Sequence, residues 1–271
     1  MKPVDFELAR PATIAEALAL IAGSDGSAKL MAGGQTLGPM LNLRFVQPEL
    51  IVDLSRIAEL ARVEERSDGI LLGACTPHAA IEDGRVRDVT GGMMPRVASR
   101  IAYRAVRTRG TIGGSIAHAD PAADWLSCLS ALGARISISG PGGRRETPLV
   151  GFVKGALETG LGSDQMIDGV MIPRLGPKAR WGYHKICRKT GEFAEAIGAV
   201  VIDGDACSIV AGATSGRPAV IEVPAAEVLA RPPGRQDVIA MLRAAGLEGD
   251  EYEMSIHAAA VRRAIGEAIA A

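Results

Sequence analysis

Two segments far apart in the chain share one design: AGGQT at 32–36 and TIGGS at 111–115. Each sets two adjacent glycines beside a hydroxyl residue, in a strand-to-helix setting. Glycine lets the backbone reach positive φ and lets another group approach bare N–H groups closely. Successive bare N–H groups make a concavity that binds anions. A Thr or Ser hydroxyl adds a donor, and a diphosphate needs several donors because its charge is costly to bury unpaired. A lone Gly-Gly turn reads as structure only, as Gly91-Gly92 and Gly142-Gly143 do here. The matched pair leaves two readings level: ordinary tight turns, or two jaws on one diphosphate. The G-x-x-x-x-G-K-[ST] and G-x-G-x-x-G signatures are missing, which argues against a P-loop or Rossmann site.

The rest of the chain reads as alternating short elements. Thr13 and Glu16 fit a capping box ahead of a helix over IAEALALIA. KLMA at 29–32 and LIVDLS at 50–55 read as strands, with a short helix over 37–45 between them: an opening β-α-β unit of 55 residues. GILLGACT at 69–76 is a strand, and Pro77 starts a short helix. MMPRVASRIAYRAV at 93–106 reads as one helix. Asp120 and Pro121 fit the N-cap and N1 positions of the next helix. Strands follow at 134–140 and 165–173, with PGGRR as a hairpin turn after the first. Pro and Gly flank a basic stretch at 174–183 and mark a boundary. Beyond it come three strands (GYHKICR, AIGAVVID, CSIVAGAT) and then helices near 225–230, 235–245 and 256–269, the grouping of an α+β domain.

A chain of 271 residues has room for two domains and for a core that needs no disulfide or metal. Net charge is −1 and aromatics are 3%, so neither an electrostatic footprint nor a stacking surface points to nucleic acid or an anionic membrane. The first 23 residues carry acids at Asp5 and Glu7 and an apolar run too short for a leader or a span, which predicts a cytoplasmic protein. Cys75, Cys128, Cys187 and Cys207 are far apart, a spacing that builds no local zinc or iron–sulfur site.

Three stretches, AGGQTLGPMLNLRF, RGTIGGSIAHADPAAD and GYHKICRKTGEFAEAIGAVV, resemble, in order, signatures of one family: the FAD-binding medium subunits of molybdenum hydroxylases, the group of aerobic carbon monoxide dehydrogenase and xanthine dehydrogenase. The closing YEMSIHAAAVRRAIGEAI is similar to that family's terminal helix. The resemblance implies an α+β PCMH/VAO-type FAD-binding domain over 1–176, itself two subdomains (1–55 and 56–176), and a CO-dehydrogenase-flavoprotein-like α+β domain over 178–271. It implies that Ala32, Gly33, Gly34, Gln35 and Thr36, with Thr111, Gly113, Gly114 and Ser115, hold the FAD diphosphate. It further implies that Asp124 hydrogen-bonds FAD, that Lys185 lies near the flavin and that Ile101 is an apolar flavin contact. The implied partners are a large subunit with molybdopterin and a small subunit with two [2Fe–2S] clusters, as a dimer of heterotrimers, in which this chain passes electrons from the clusters to an external acceptor. Thr36 stands where the family has Ser, Arg104 and Thr108 where it has Pro and Asn, and Glu192 where Asp is common. His184 and Trp125 are further departures, expected to alter the flavin edge or a partner contact.

The same residues admit other chemistry. His118, Asp120 and Asp124 suit a divalent ion by type, but a capping Asp120, a loop His118 and a first-turn Asp124 answer for all three. Alternation along a strand puts Lys185 and Lys189 on one face and Arg188 on the other, as cations tuning a reduced flavin or as a solvated edge. Arg107 and Arg109 flank the second glycine segment, where they offset diphosphate charge or solvate the loop. No nucleophile–base set stands out, so no substrate chemistry is expected on this chain. Two rival readings remain: a stand-alone PCMH-type FAD reductase akin to the UDP-N-acetylenolpyruvoylglucosamine reductases, and a nucleotide-binding or scaffolding module without redox work.

Overall fold

A computed structural model describes residues 2–271. The chain opens with β1 (Glu7–Ala9), α1 (Ile14–Ala22), β2 (Ala28–Met31), α2 (Leu37–Asn42) and β3 (Leu50–Asp53). These strands form a parallel sheet in the order β1-β3-β2, with Ile51 and Val52 of the central strand fully buried. Thr13 caps α1 by accepting from Glu16 N, as its sequence predicts, but the Glu16 carboxylate takes the N–H of Ala12 and not that of Thr13.

The second layer is an antiparallel sheet in the order β4-β5-β10-β6-β7, made of Val63–Arg66, Gly69–Gly73, Met166–Pro173, Arg135–Gly140 and Gly143–Pro148. Between β5 and β6 run α3 (His78–Glu82), α4 (Met93–Ala98), α5 (Arg104–Arg107), α6 (Ile112–His118) and α7 (Asp124–Ala131). A two-strand hairpin, β8 (Val153–Gly155) with β9 (Glu158–Thr159), precedes β10. The single helix expected over 93–106 is two: the chain leaves α4 after Ala98 and turns at Ala102, whose φ of 41° no helix contains. Asp120 does not cap α7. Its carboxylate accepts from Ala122 N at 2.9 Å in a turn of its own, and the helix starts a turn later with Ala123 as N-cap.

The C-terminal part is an antiparallel meander, β11 (Arg180–Ile186), β12 (Ala196–Asp203), β13 (Ala206–Gly212) and β14 (Ala219–Pro224), followed by α8 (Ala225–Ala230), α9 (Arg235–Ala244) and α10 (Glu251–Ala270). The fourth strand adds to the three expected. Both faces of this sheet are covered. Val200, Ile202 and Ile209 face a core shared with α9 and α10, whereas Ile197, Ala199 and Val201 join the core that holds Trp125 and Ile136. Helices lie directly on the strands: a Cβ on Gly198 would overlap the carbonyl oxygen of Ala260 in α10, and one on Gly212 would overlap Ser127 Oγ in α7. Among the described residues no helix is long and apolar enough to cross a membrane.

Candidate functional site

The first glycine segment leaves the C-terminal end of β2, the end of a parallel sheet at which open α/β folds bind ligands. Gly34 has φ +69°, which excuses it from carrying a side chain. Gly33 is required for a different reason: a Cβ there would overlap the carbonyl oxygen of Arg109. The two segments therefore touch, and the Gly114 Cβ position lies 3.8 Å from Ala32 Cβ. The N–H groups of Gly33, Gly34, Gln35 and Thr36 donate to no acceptor among the described residues. The Gln35 side chain folds back, Nε2 donating to Gly33 O at 3.4 Å.

The second segment is built otherwise than the first. Thr111 N-caps α6, its Oγ1 accepting from Gly114 N at 3.1 Å, and Gly113 N donates to Ala74 O at 2.9 Å. A Cβ on Gly113 would overlap Ala74, just beyond β5. Neither glycine has positive φ. This pair is there for close packing and its N–H groups are already engaged, so the symmetric pair of jaws expected from sequence becomes an asymmetric one. The free N–H donors come from 33–36, and the hydroxyls of Ser115 and Thr36 have no partner among the described side-chain hydrogen bonds. Neither segment contains a carboxylate. Four unengaged N–H groups and two hydroxyls, in segments that carry no acid of their own, fit a diphosphate.

The remaining candidates form a second group where α7 meets β11. Asp124 is buried, and its carboxylate accepts from Tyr183 OH at 2.6 Å and from Lys185 Nζ at 3.0 Å. Burial pushes the Asp124 carboxyl above its usual range, against the pull of Lys185 and Tyr183, and burial likewise raises the Tyr183 phenol. Lys185 Nζ also reaches Arg100 O, next to Ile101, at 3.5 Å. Packing of α6 on α7 connects this group to the glycine segments. Tyr183 was not singled out from sequence, although its two-residue spacing from Lys185 along a strand sets both on one face.

Several expectations change here. β11 ends at Ile186, so no strand alternation carries on to Arg188 and Lys189; both are exposed and pair with Glu192, leaving Lys185 alone inside. Trp125 does not alter a flavin edge directly: it is fully buried, and its Nε1 donates to His78 Nδ1 at 2.9 Å. Burial, helped by the Arg107 charge, lowers His78 to about 4, so the ring is neutral and its Nε2 sits against Gly110 at the foot of the second segment. His184 lies in a hydrogen-bonded set with Glu267 and Arg263 of α10. Arg107 commits four of its five N–H donors to Glu82 and two carbonyl groups, which leaves at most one for a diphosphate. His118 ends α6, and no three His, Cys, Asp or Glu side chains gather as a metal site among the described residues.

Residues 4–175 match a family model described as the FAD binding domain in molybdopterin dehydrogenase. The chain is 37% identical over 202 residues to the carbon monoxide dehydrogenase medium chain of Hydrogenophaga pseudoflava, covering 74% of this chain and 70% of that protein. It is 33% identical over 206 residues to the caffeine dehydrogenase subunit beta of Pseudomonas sp. strain CBB1, covering 76% and 70%. Its fold superimposes on the solved structure of carbon monoxide dehydrogenase from Hydrogenophaga pseudoflava lacking the Mo-pyranopterin moiety, with a TM-score of 0.88 at 32% identity, over 100% of this chain and 99% of that one.

Proposed function

Because this chain belongs to the family of FAD-binding domains in molybdopterin dehydrogenases, we propose that it is the FAD-carrying electron-transfer subunit of a three-component molybdenum hydroxylase. The row of unengaged N–H groups at 33–36, closed by a second segment that touches it, carries this reading. Gly33 through Thr36 hold the FAD diphosphate, Gly113 and Gly114 bring the second segment close, and Thr36 and Ser115 add hydroxyl donors. Asp124, with acceptor capacity left over from Tyr183 and Lys185, takes a cofactor hydroxyl. Lys185 places a buried cation on the flavin side, and Ile101 supplies apolar contact. Bound FAD supplies the redox centre that takes up electrons and hands them to an external acceptor.

Electrons arrive from outside the chain, since its four cysteines are separate free thiols and no cluster site can be built from them. The proposed partners are a large molybdopterin subunit that acts on substrate and a small [2Fe–2S] subunit, arranged as a dimer of heterotrimers in the cytoplasm. Residues 1–176 form the FAD-binding domain in this reading, and 178–271 the domain that supplies Lys185.

Purification from the native host tests the proposal. The chain is expected to carry FAD, with flavin absorbance near about 450 nm, and to co-purify with two further chains, molybdenum and iron. A chain that takes up no FAD even on reconstitution refutes the flavin role. A flavoprotein that works alone on an organic substrate refutes the assembly and restores the stand-alone reductase.

A further inference from the structure

The stretch Arg100–Tyr103 links α4 to α5 and contains Ala102 at φ +41°, in a left-handed region that L-residues adopt only when held there. Three elements hold it. Arg107 Nη1 donates to Ile101 O at 2.9 Å and to Ala102 O at 3.1 Å. Lys185 Nζ approaches Arg100 O at 3.5 Å. The Tyr103 ring lies on Gly191, where a Cβ would come within 2.6 Å of Tyr103 Cζ. Arg107 is itself fixed from behind: Nε and Nη2 donate to the two oxygens of Glu82 at 2.8 and 2.9 Å, and its side chain is 11% exposed. One rigid fork thus joins a carboxylate on α3 to both carbonyl groups of a strained kink. A lysine, a single point donor, cannot make the same bridge.

We infer that Arg107 is a positioning residue for the flavin-facing wall: it locks the Ile101–Ala102 kink, and so fixes where Ile101 meets the cofactor. The inference rests on the reading that Ile101 borders FAD. It differs from a general packing role in one respect, that Arg107 acts by holding Ala102 left-handed. Relaxing that conformational demand must then compensate for losing the guanidinium.

The test uses the full chain titrated with FAD, following quenching of flavin fluorescence and the visible circular dichroism of the bound flavin, with far-ultraviolet dichroism as the check on folding. Arg107→Ala leaves Glu82 paired with Arg104 at 2.7 Å, so the helices at the site keep a partner for that carboxylate. Arg107→Ala and Arg107→Lys are both expected to weaken FAD binding by about tenfold through lost preorganisation and to alter the visible dichroism. Adding Ala102→Gly to Arg107→Ala, which removes the Cβ from the left-handed position, is expected to recover about threefold or more. Arg107→Lys serves should Arg107→Ala fail to fold. A folded Arg107 variant with wild-type affinity and dichroism overturns the inference, as does a double variant no better than Arg107→Ala. A wild-type chain that takes up no FAD overturns the flavin reading and this inference with it, whereas FAD bound equally by wild type and variants removes the positioning role alone.

Discussion

At the scale of single residues, the two glycines of the first segment are glycines for different reasons, and substitution separates them. Gly33 lies against a backbone carbonyl of the other segment, which no rotamer change can clear, so Gly33→Ala must push the segments apart. We expect it to cost about 1–3 kcal/mol of stability and to weaken FAD binding by about a hundredfold. Gly34→Ala meets only the flexible Met31 side chain and strain at positive φ, for about 1–2 kcal/mol. Urea unfolding and FAD titration of both variants check the order; the reverse order would falsify the close-approach account. His78 makes a pH prediction. Its folded pKa of about 4 lies below the ordinary value of 6.5, so between those pH values the unfolded chain holds a proton the native chain lacks. Stability is unaffected above that window and falls as pH drops through it, by up to about 1.4 kcal/mol per pH unit. His78→Asn keeps an acceptor for Trp125 and should flatten the urea midpoint between pH 6.5 and 5, where most carboxylates remain ionised.

At the scale of elements, α6 depends on its cap. Thr111→Val removes the oxygen that receives Gly114 N and should cost about 1 kcal/mol, whereas Thr111→Ser should cost a few tenths at most, roughly, by thermal unfolding. Most elements were legible from sequence where periodicity and caps agree, as in α1, β3, β10 and the three C-terminal helices. The misreadings have physical causes. Val63–Arg66 and Gly143–Pro148 are charge-rich edge strands whose structure comes from the neighbour they pair with, so their own residues read as loop. The stretch 93–106 has helical spacing throughout, but Arg107 and Glu82 stabilise a kink that only tertiary contacts specify. The Asp120-Pro121 pair has the right chemistry for a cap and uses it on the preceding turn. Within the site, the glycine segments were visible as a repeated local pattern. Tyr183 was not assigned, and Arg107 was read as a diphosphate counter-charge or a solvated loop residue, because their roles depend on partners 59 and 25 residues away.

At the scale of the whole molecule, the buried Lys185–Asp124 pair ties β11 to α7. Lys185→Met strands a buried carboxylate and should cost about 3–5 kcal/mol near neutral pH. Without the lysine, burial leaves the Asp124 carboxyl well above its unfolded value, so the native state binds the extra proton. The cost should therefore shrink as pH falls towards 5 and grow as pH rises. Lys185→Met combined with Asp124→Asn should cost less than the sum of the two single changes, measured as a double-mutant cycle in urea.

The family match ends at residue 175, but the hydrophobic core does not. Ile197, Ala199 and Val201 of β12 belong to the same buried cluster as Trp125 and Ile136, and Gly212 is bare so that α7 can lie on β13. A gene fragment stopped at 176 would strip that face and leave α7 uncovered, and it should appear in inclusion bodies where the full chain stays in solution. The segment that carries the glycine signatures should therefore become a stable body only with its neighbour attached.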